Sequence, residues 1–296
     1  MGALGIMMLR RGTMANPIAG SDYILSEERG DPEVFRILME NGVSSDGVGI
    51  TKEDAMRVTD ISSWFNKNDK IEHFDEFQYF VNVTNLNPEN QWDSGAFYKS
   101  SIKRITLHEN MKVIHQGSFR SSSALEHINL EYVNEIQTAA FYNALNGAII
   151  NCESLLNLSN DSTFYGSKLS GIQSLGRVTS IKSRTDSTGA FMGSSAKFIN
   201  LPETLEEIGA HSLRNMRYLN TPLYIPASVK SIGLAAFAYD TMTAVIALGD
   251  TPPTLGSDVF IGTSCPIYVP DSAVEAYKAA WTQYSARIYP MSQFQE

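Results

Sequence analysis

The sequence predicts an α/β repeat protein that folds as a right-handed solenoid with short strands. Two observations predict it: a phenylalanine that returns at nearly regular steps, and the same order of apolar residues before each one. The phenylalanines are Phe97, Phe119, Phe141, Phe164, Phe191, Phe237 and Phe260, with Leu213 filling the long gap between the fifth and sixth. The steps run from 22 to 27 residues. A unit of this length is too small to bury its own apolar face, so the units must stack on their neighbours.

Each unit also repeats an internal pattern. One unit reads Leu125-x-x-Ile128-x-Leu130, then Val133-x-x-Ile136, then Ala140-Phe141. The Ile-x-Leu triplet alternates between two faces, which predicts a short strand with one buried side. The later Val-x-x-Ile and Ala-Phe predict a turn and a short helical segment. A β-sandwich would space its strands by ~8–12 residues and would not repeat a pattern in order. Units of ~20–29 residues of this kind are leucine-rich repeats.

Residues 1–70 lack the repeat and predict a small helical module. Asp31-Pro32 is a helix N-cap followed by proline at the first helical position, and Asn41-Gly42 ends that helix. Thr51 with Asp54 resembles a capping box and opens a second helix. This module either caps the solenoid or attaches it to a larger assembly.

The solenoid is predicted over residues 71–290, with a C-terminal cap from about residue 266. Its first, degenerate turn contains Ile71, Phe74, Phe77 and Phe80. Asp271 or Ser272 is the predicted N-cap of a helix at the other end. The apolar stripe of that helix consists of Val274, Tyr277, Trp281 and Tyr284.

Composition and charge exclude several classes of partner. The chain has 23 Lys and Arg against 32 Asp and Glu, so its net charge is −9. An acidic surface repels phosphates, which argues against nucleic acid and against an anionic membrane surface. No apolar run approaches the ~18 residues of a membrane span. The first residues, MGALGIMMLRRG, place their positive charges after the apolar stretch, so we expect no secretory signal peptide.

No pattern predicts catalysis, a metal site or a cofactor. The five histidines form no metal-binding spacing, and no nucleophile elbow or phosphate-binding loop occurs. The two cysteines, Cys152 and Cys265, are about five repeats apart. Stacking at ~4.8 Å per repeat separates them by roughly 20–25 Å, whereas a disulfide needs Cα atoms within ~7 Å. We therefore expect them never to pair within one chain.

The candidate functional residues are the outward positions of the strand ladder. Ile105 and Leu107 are expected to point inward, so Arg104 and Thr106 point outward. The same reasoning selects His127, Asn129, Phe198, Asn200, Tyr224 and Tyr268 as partner-binding residues, and it also places Ala247 outward. Grouped exposed aromatic residues often mark binding sites. The alternative is that these side chains only cover the surface of the sheet.

The repeat resembles the BspA-like leucine-rich repeats of bacterial surface proteins and some protozoan proteins. Their unit looks like L-x-x-I-x-L-P-x-x-L/V-x-x-I-G-x-x-A-F, which residues 196–237 match closely. The resemblance covers roughly residues 95–290 and includes the closing Ile267-Tyr268-Val269-Pro270. It implies adhesion or partner binding at the cell surface and no shared active site.

Two functions are therefore expected as alternatives. The first is a non-enzymatic binding or adhesion protein that presents its sheet face to a protein or glycan ligand. The second is a structural or host-recognition component of a bacteriophage particle, assembled into that larger particle through residues 1–70. Both favour the cell surface, the extracellular space or a virion over the cytoplasm.

Overall fold

A computed structural model describes residues 22–158, 161–181, 183 and 188–295. The α-helices are α1 (Pro32–Glu40), α2 (Lys52–Arg57) and α3 (Val274–Ala280), and short 3-10 helices span Asp75–Tyr79, Asp271–Ala273, Thr282–Arg287 and Met291–Gln293. The strands are β1 (Tyr23–Leu25), β2 (Ile50–Thr51), β3 (His73–Phe74), β4 (Arg104–Ile105), β5 (Val113–Ile114), β6 (His127–Ile128), β7 (Glu135–Ile136), β8 (Ile149–Asn151), β9 (Asn157–Leu158), β10 (Gly171–Ser174), β11 (Ser180–Ile181), β12 (Glu207–Ile208), β13 (Leu223–Ile225), β14 (Ser231–Ile232), β15 (Val245–Ala247), β16 (Thr254–Leu255), β17 (Ile267–Val269) and β18 (Ile288–Pro290).

Strands β3 to β18 form a solenoid of two parallel ladders, whereas β1 and β2 pair antiparallel with each other. We call the first ladder the front sheet; it runs in three stretches, β3–β4–β6, β8–β10 and β13–β15–β17–β18. The second, the back sheet, runs in two stretches, β5–β7–β9 and β11–β12–β14–β16. Strands related by one repeat pair in register, as Ile105 pairs with Ile128 and Ile208 with Ile232. The repeat solenoid of stacked strands is therefore confirmed.

A third ladder lies at the turns that hold the closing phenylalanines. The backbone N–H of each donates to the carbonyl just before the next, as Phe119 does to Ala140 (2.9 Å) and Phe164 to Ala190 (2.7 Å). The rings stack nearly parallel from unit to unit with centroids 5.1–5.6 Å apart. Each closing phenylalanine, and Leu213 in the same position, is almost fully buried, as predicted.

The predicted helical segment within each unit is wrong. Between Phe80 and Pro270 the described residues contain no helix. The Val-x-x-Ile pattern instead forms a corner and then a strand of the back sheet, as Ile136 does in β7. Helical geometry is interrupted because the residue two positions after each phenylalanine has a left-handed backbone, with φ of 60° at Ser121 and 49° at Asn143.

The ring stack begins earlier than the sequence pattern indicates. Phe65 is fully buried and stacks on Phe97 at 5.6 Å with an interplanar angle of 13°. The 32-residue step from Phe65 to Phe97 is longer than any step of the repeat. Residues before 70 thus already contribute to the ladder, and the domain boundary at residue 70 stays a prediction.

Helix α1 begins and ends, and helix α2 begins, where the sequence predicts. Asp31 caps α1, and Thr51 forms a capping box with Asp54 at the start of α2. The carboxylate of Asp31 also makes a second, non-local contact. Its Oδ1 accepts bonds from Glu33 N and Val34 N, while its Oδ2 accepts from Glu72 N (2.8 Å) and His73 N (3.0 Å). In later units the corresponding backbone N–H groups donate to a backbone carbonyl of the preceding unit instead of to a carboxylate. Lys103 N and Arg104 N, for example, both donate to Glu72 O.

At the C-terminal end of the solenoid, side chains likewise form hydrogen bonds with backbone groups of the last units. Trp281 Nε1 donates to Pro253 O (2.9 Å), and Tyr284 accepts a bond from Phe260 N on its hydroxyl (3.1 Å). Arg287 Nη1 donates to Thr263 O (2.8 Å). In inner units the next unit of the solenoid pairs with such backbone groups, and here the side chains take that role. An unpaired buried group would cost free energy.

The predicted N-cap of α3 is wrong. The 3-10 helix Asp271–Ala273 comes first and moves the start of α3 to Val274, so Ala273 occupies the N-cap position without a side-chain bond. Asp271 Oδ1 instead accepts a bond from Ser292 N (2.9 Å). Of the predicted stripe, Tyr277, Trp281 and Tyr284 are buried, and Val274 packs against the core while partly exposed.

Candidate binding face

All eight predicted site residues lie on the front sheet or directly beside its strands, in exposed or partly exposed positions. Arg104 and His127 are neighbours in register on β4 and β6, and both are exposed. Ile105 and Leu107, which precede and follow Thr106 in the chain, are buried, as alternation predicts. Tyr224 is exposed on β13 between buried Leu223 and Ile225. Two concavities lie on this face, one near each end.

The N-terminal concavity has a volume of about 500 Å³ and is lined by Arg104, Thr106, His127, Asn129, Gly147 and Ile149 among others. Arg104 Nε donates to both oxygens of Asp75 (2.8 and 2.9 Å), and Thr106 Oγ1 donates to Asp75 Oδ1 (3.1 Å). The Arg104 guanidinium, with the Thr106 hydroxyl, holds the pKa of Asp75 below its usual value. The charge of Arg104 is thus already compensated, and the lining also contains the exposed side chains of Glu126 and His127.

The two predicted asparagines are hydrogen-bonded to the preceding unit. Asn129 Oδ1 accepts from Leu107 N (2.6 Å), and its Nδ2 donates to Leu107 O (3.0 Å). Asn200 Nδ2 donates to Gln173 O (3.0 Å). These amides join one unit to the next, so their contact with a partner would compete with bonds that hold the ladder together.

The C-terminal concavity is aromatic and has a volume of about 430 Å³. Its lining includes Tyr224, Tyr268 and Phe294 together with Pro222 and Pro266. The Tyr268 ring lies 5.1 Å from the Phe294 ring and 6.0 Å from the Tyr289 ring. Exposed aromatic rings over a regular sheet provide a large contact area at a low cost in side-chain entropy.

Phe198 lies apart from this aromatic group in contact with β10. A Cβ atom built on Gly171 would come within 2.1 Å of the Phe198 ring. Glycine at position 171 therefore leaves the space that the ring occupies, and Phe198 is partly exposed beside it.

The outward placement of Ala247 is wrong. Ala247 is buried and pairs in register with Ile225, whereas Ile246 pairs with Tyr224 and Tyr268 in the outward row. All three residues of β15 are apolar, so alternation of hydropathy could not distinguish the two faces there.

Sequence analysis also missed three residues of the face. Ile149 is 56% exposed on β8, and Tyr289 pairs in register with Tyr268 on β18. Phe294 covers the edge of the aromatic group. The doublet Ile-Tyr at 267–268 recurs at 288–289, and this repetition was a signal that could have identified Tyr289.

Reactive groups are scattered rather than gathered. Within the described residues no group of three or more His, Cys, Asp or Glu side chains is placed to hold a metal ion. Cys152 and Cys265 are both free, as expected, and burial raises the pKa of each thiol. Asp240 is buried and accepts a bond from Met216 N (2.8 Å), and burial raises its pKa well above the usual range. In the part of the chain that the structure describes, no helix is long and apolar enough to cross a membrane.

The chain is similar to a solved structure and to a family model. The chain is similar over 66% of its length, and over 68% of the other chain, to a crystal structure described as pneumococcal vaccine antigen PcpA, with 15% identity and a TM-score of 0.27. No curated protein matches the chain. A family model described as "BspA type Leucine rich repeat region" matches in six copies over residues 66–170 and 160–280. Because these copies cover most of the chain, the protein belongs to the BspA-type leucine-rich repeat family.

Proposed function

We propose that this protein is a non-enzymatic binding and adhesion protein that recruits a protein or glycan partner through its front sheet. The observation that carries the proposal is an aromatic group in which Tyr224, Tyr268 and Phe294 line one concavity and Tyr289 lies beside Tyr268. Their strands are held by buried neighbours and by parallel ladder bonds, so the rings are presented on a rigid support. Rigid aromatic contacts lose little entropy on binding.

The back sheet offers a different surface. Its outward row consists of Val113, Glu135, Asn157, Ser180, Glu207, Ser231 and Thr254. Apart from Val113, these side chains are small or polar, and such residues contribute few energetic hot spots to interfaces. The contrast favours the front sheet as the recognition surface.

Two features support a non-enzymatic role. Arg104, which lines the N-terminal concavity together with Glu126 and His127, is bonded to Asp75, so its charge is already compensated. Among the described residues, the lining of the aromatic concavity contains no histidine or carboxylate, the side chains that most often transfer protons in catalysis. The resemblance to bacterial surface repeats favours display at the cell surface or in the extracellular space.

A tyrosine variant tests the front sheet. We expect Tyr224→Ser, Tyr268→Ser and Tyr289→Ser together to weaken binding to an array of glycans and immobilised extracellular-matrix proteins by at least about tenfold, since every ~1.4 kcal/mol is tenfold. The matched control replaces Tyr132, Tyr218 and Tyr239, which lie off the front sheet and are 43%, 63% and 43% exposed. Equal losses in the two variants, or no binding by the unaltered protein, would contradict the proposal.

An attachment role for the N-terminal module is a second proposal. A concavity of about 880 Å³ beside α1 is lined by Tyr23, Phe35, Met39 and Val48 among others. Val48 is 61% exposed, and exposed apolar groups around a groove favour docking.

Size-exclusion chromatography of the full chain tests this attachment. If the module binds further copies, the protein elutes as an oligomer and Met39→Ser with Val48→Ser returns it to a monomer. A monomer in both cases would argue against it. Deleting residues 1–70 is a poor test, because Asp31 and Phe65 bond to or stack on the first units.

A further inference from the structure

Three positive side chains converge on one tyrosine at the turn side of the solenoid, away from both sheets. Lys67 Nζ, Lys99 Nζ and the Arg120 guanidinium lie 5.7, 5.3 and 5.4 Å from the centre of the Tyr98 ring. Arg120 also lies 5.5 Å from the Trp92 ring and 5.4 Å from the Tyr142 ring. We call Lys67, Trp92, Tyr98, Lys99, Arg120 and Tyr142 the cation patch.

The turn ladder places these residues side by side. Lys67 N donates to Tyr98 O (2.7 Å), and Lys99 N donates to Arg120 O (2.9 Å). Successive units in a parallel ladder are ~4.8 Å apart, so three units bring three cations together although they are far apart in sequence. Their spacing is therefore a property of the stacked fold.

The backbone does not require lysine at these positions. Lys67 and Lys99 have φ of 57° and 53°, and a left-handed backbone favours glycine or asparagine. The same position is occupied by Asn143, Gly166, Gly193 and Asn215 in other units. The two lysines thus provide charge at a position where other residues satisfy the fold.

The patch is positive on a negatively charged protein. The chain carries a net charge of −9, and several other cations, such as Arg104 and Lys230, are paired with carboxylates. Among the described residues, no ion pair involves Lys67, Lys99 or Arg120. Glu89 and Asp93 line a neighbouring concavity without pairing to them.

Arg120 retains hydrogen-bonding capacity. It donates one long bond from Nη1 to Trp92 O (3.4 Å), while its buried Nε has no partner among the described residues. Trp92 is 41% exposed beside it. Tryptophan, tyrosine and arginine in one cluster are the composition of protein-interface hot spots.

We propose that the cation patch docks an acidic polypeptide segment of a partner protein. Carboxylates of that segment pair with Lys67, Lys99 and Arg120, and its aliphatic groups pack on Trp92. A polyanion of high charge density, such as a sulfated glycan, would be repelled by the remaining acidic surface, whereas a short acidic segment meets mainly the patch. The surface is separate from the front sheet, so one partner can be held there while another occupies the aromatic concavity.

The test uses substitutions that this chain already employs at equivalent positions. Lys67→Asn and Lys99→Asn follow Asn143 and Asn215, and Arg120→Met follows Met192. The probe is a fluorescein-labelled octaglutamate peptide, measured by fluorescence anisotropy at low ionic strength. We expect the full-length protein to bind it, added salt to weaken binding, and the triple variant to bind at least about tenfold more weakly.

The matched control is Arg214→Met, which removes an arginine from the same turn position elsewhere and should change affinity less than about twofold. Circular dichroism melting verifies that each variant folds, and Arg120→Met alone replaces the triple variant if that one does not. The proposal is overturned if octaglutamate does not bind, if the patch variant binds as well as the unaltered protein, or if the control loses as much. It is also overturned if a heparin octasaccharide binds the patch more tightly than octaglutamate.

Discussion

Replacing Phe141 by alanine is expected to destabilise the protein by about 3–5 kcal/mol, a large part of a typical total of ~5–15 kcal/mol. Phe141 is fully buried, and its ring lies 5.4 Å from Phe119 and 5.1 Å from Phe164. The substitution therefore removes contacts with both neighbouring units and leaves a cavity between them. Urea unfolding followed by circular dichroism measures the effect.

Phe141→Leu is the matched control. Leu213 occupies the equivalent position in another unit and is fully buried there, so leucine fits the turn with a smaller loss, about 1 kcal/mol. If alanine costs no more than leucine at position 141, the ring stack does not contribute to stability in the way that its geometry indicates.

Asp31→Ala is expected to cost at least about 3 kcal/mol, because one buried carboxylate accepts four backbone bonds. The donors are Glu33 N, Val34 N, Glu72 N and His73 N. Alanine leaves both the start of α1 and the edge of β3 without a partner. Chemical unfolding measures the loss, and hydrogen exchange should rise in α1 and β3 before later units.

Two variants separate the roles of this carboxylate. Asp31→Asn keeps one acceptor oxygen, so it satisfies the helix or the strand edge but not both, and an intermediate loss follows. Asp60→Ala removes an exposed aspartate that accepts a single bond from Ser62 N. A loss at Asp31 no greater than that at Asp60 would mean that the strand edge does not depend on the carboxylate.

The repeat could be predicted from sequence because its signal is local and recurs. The closing phenylalanines return in a fixed order, and burial confirms all of them. The back sheet was mispredicted as helical because Val-x-x-Ile spacing suits a helical turn as well as a corner followed by a strand. The left-handed residue that interrupts a helix after each phenylalanine is Asn143 in one unit but Lys99 or Tyr239 in others, so no single residue type marks it.

Contacts between distant segments could not be predicted. The sequence identifies Asp31 as the N-cap of α1, but nothing near it in the chain indicates that Oδ2 accepts bonds from residues 72 and 73. The cations at 67, 99 and 120 meet for the same reason, since only the stacking of units brings them to one ring. Outward positions such as Arg104 and Tyr224 were predictable where polar or aromatic residues alternate with buried aliphatic ones, and β15 lacks that alternation.

Hydrogen exchange on Phe141→Ala and Phe260→Ala tests most directly the central claim that each unit is held only by its neighbours. Phe260 stacks on Phe237 and packs against Trp281 and Tyr284, so its loss should raise exchange mainly in the last units. The loss of Phe141 should raise exchange in its own and the preceding units, while those after it stay protected. A uniform rise along the whole chain in both variants would show a single cooperative core and would contradict the solenoid account.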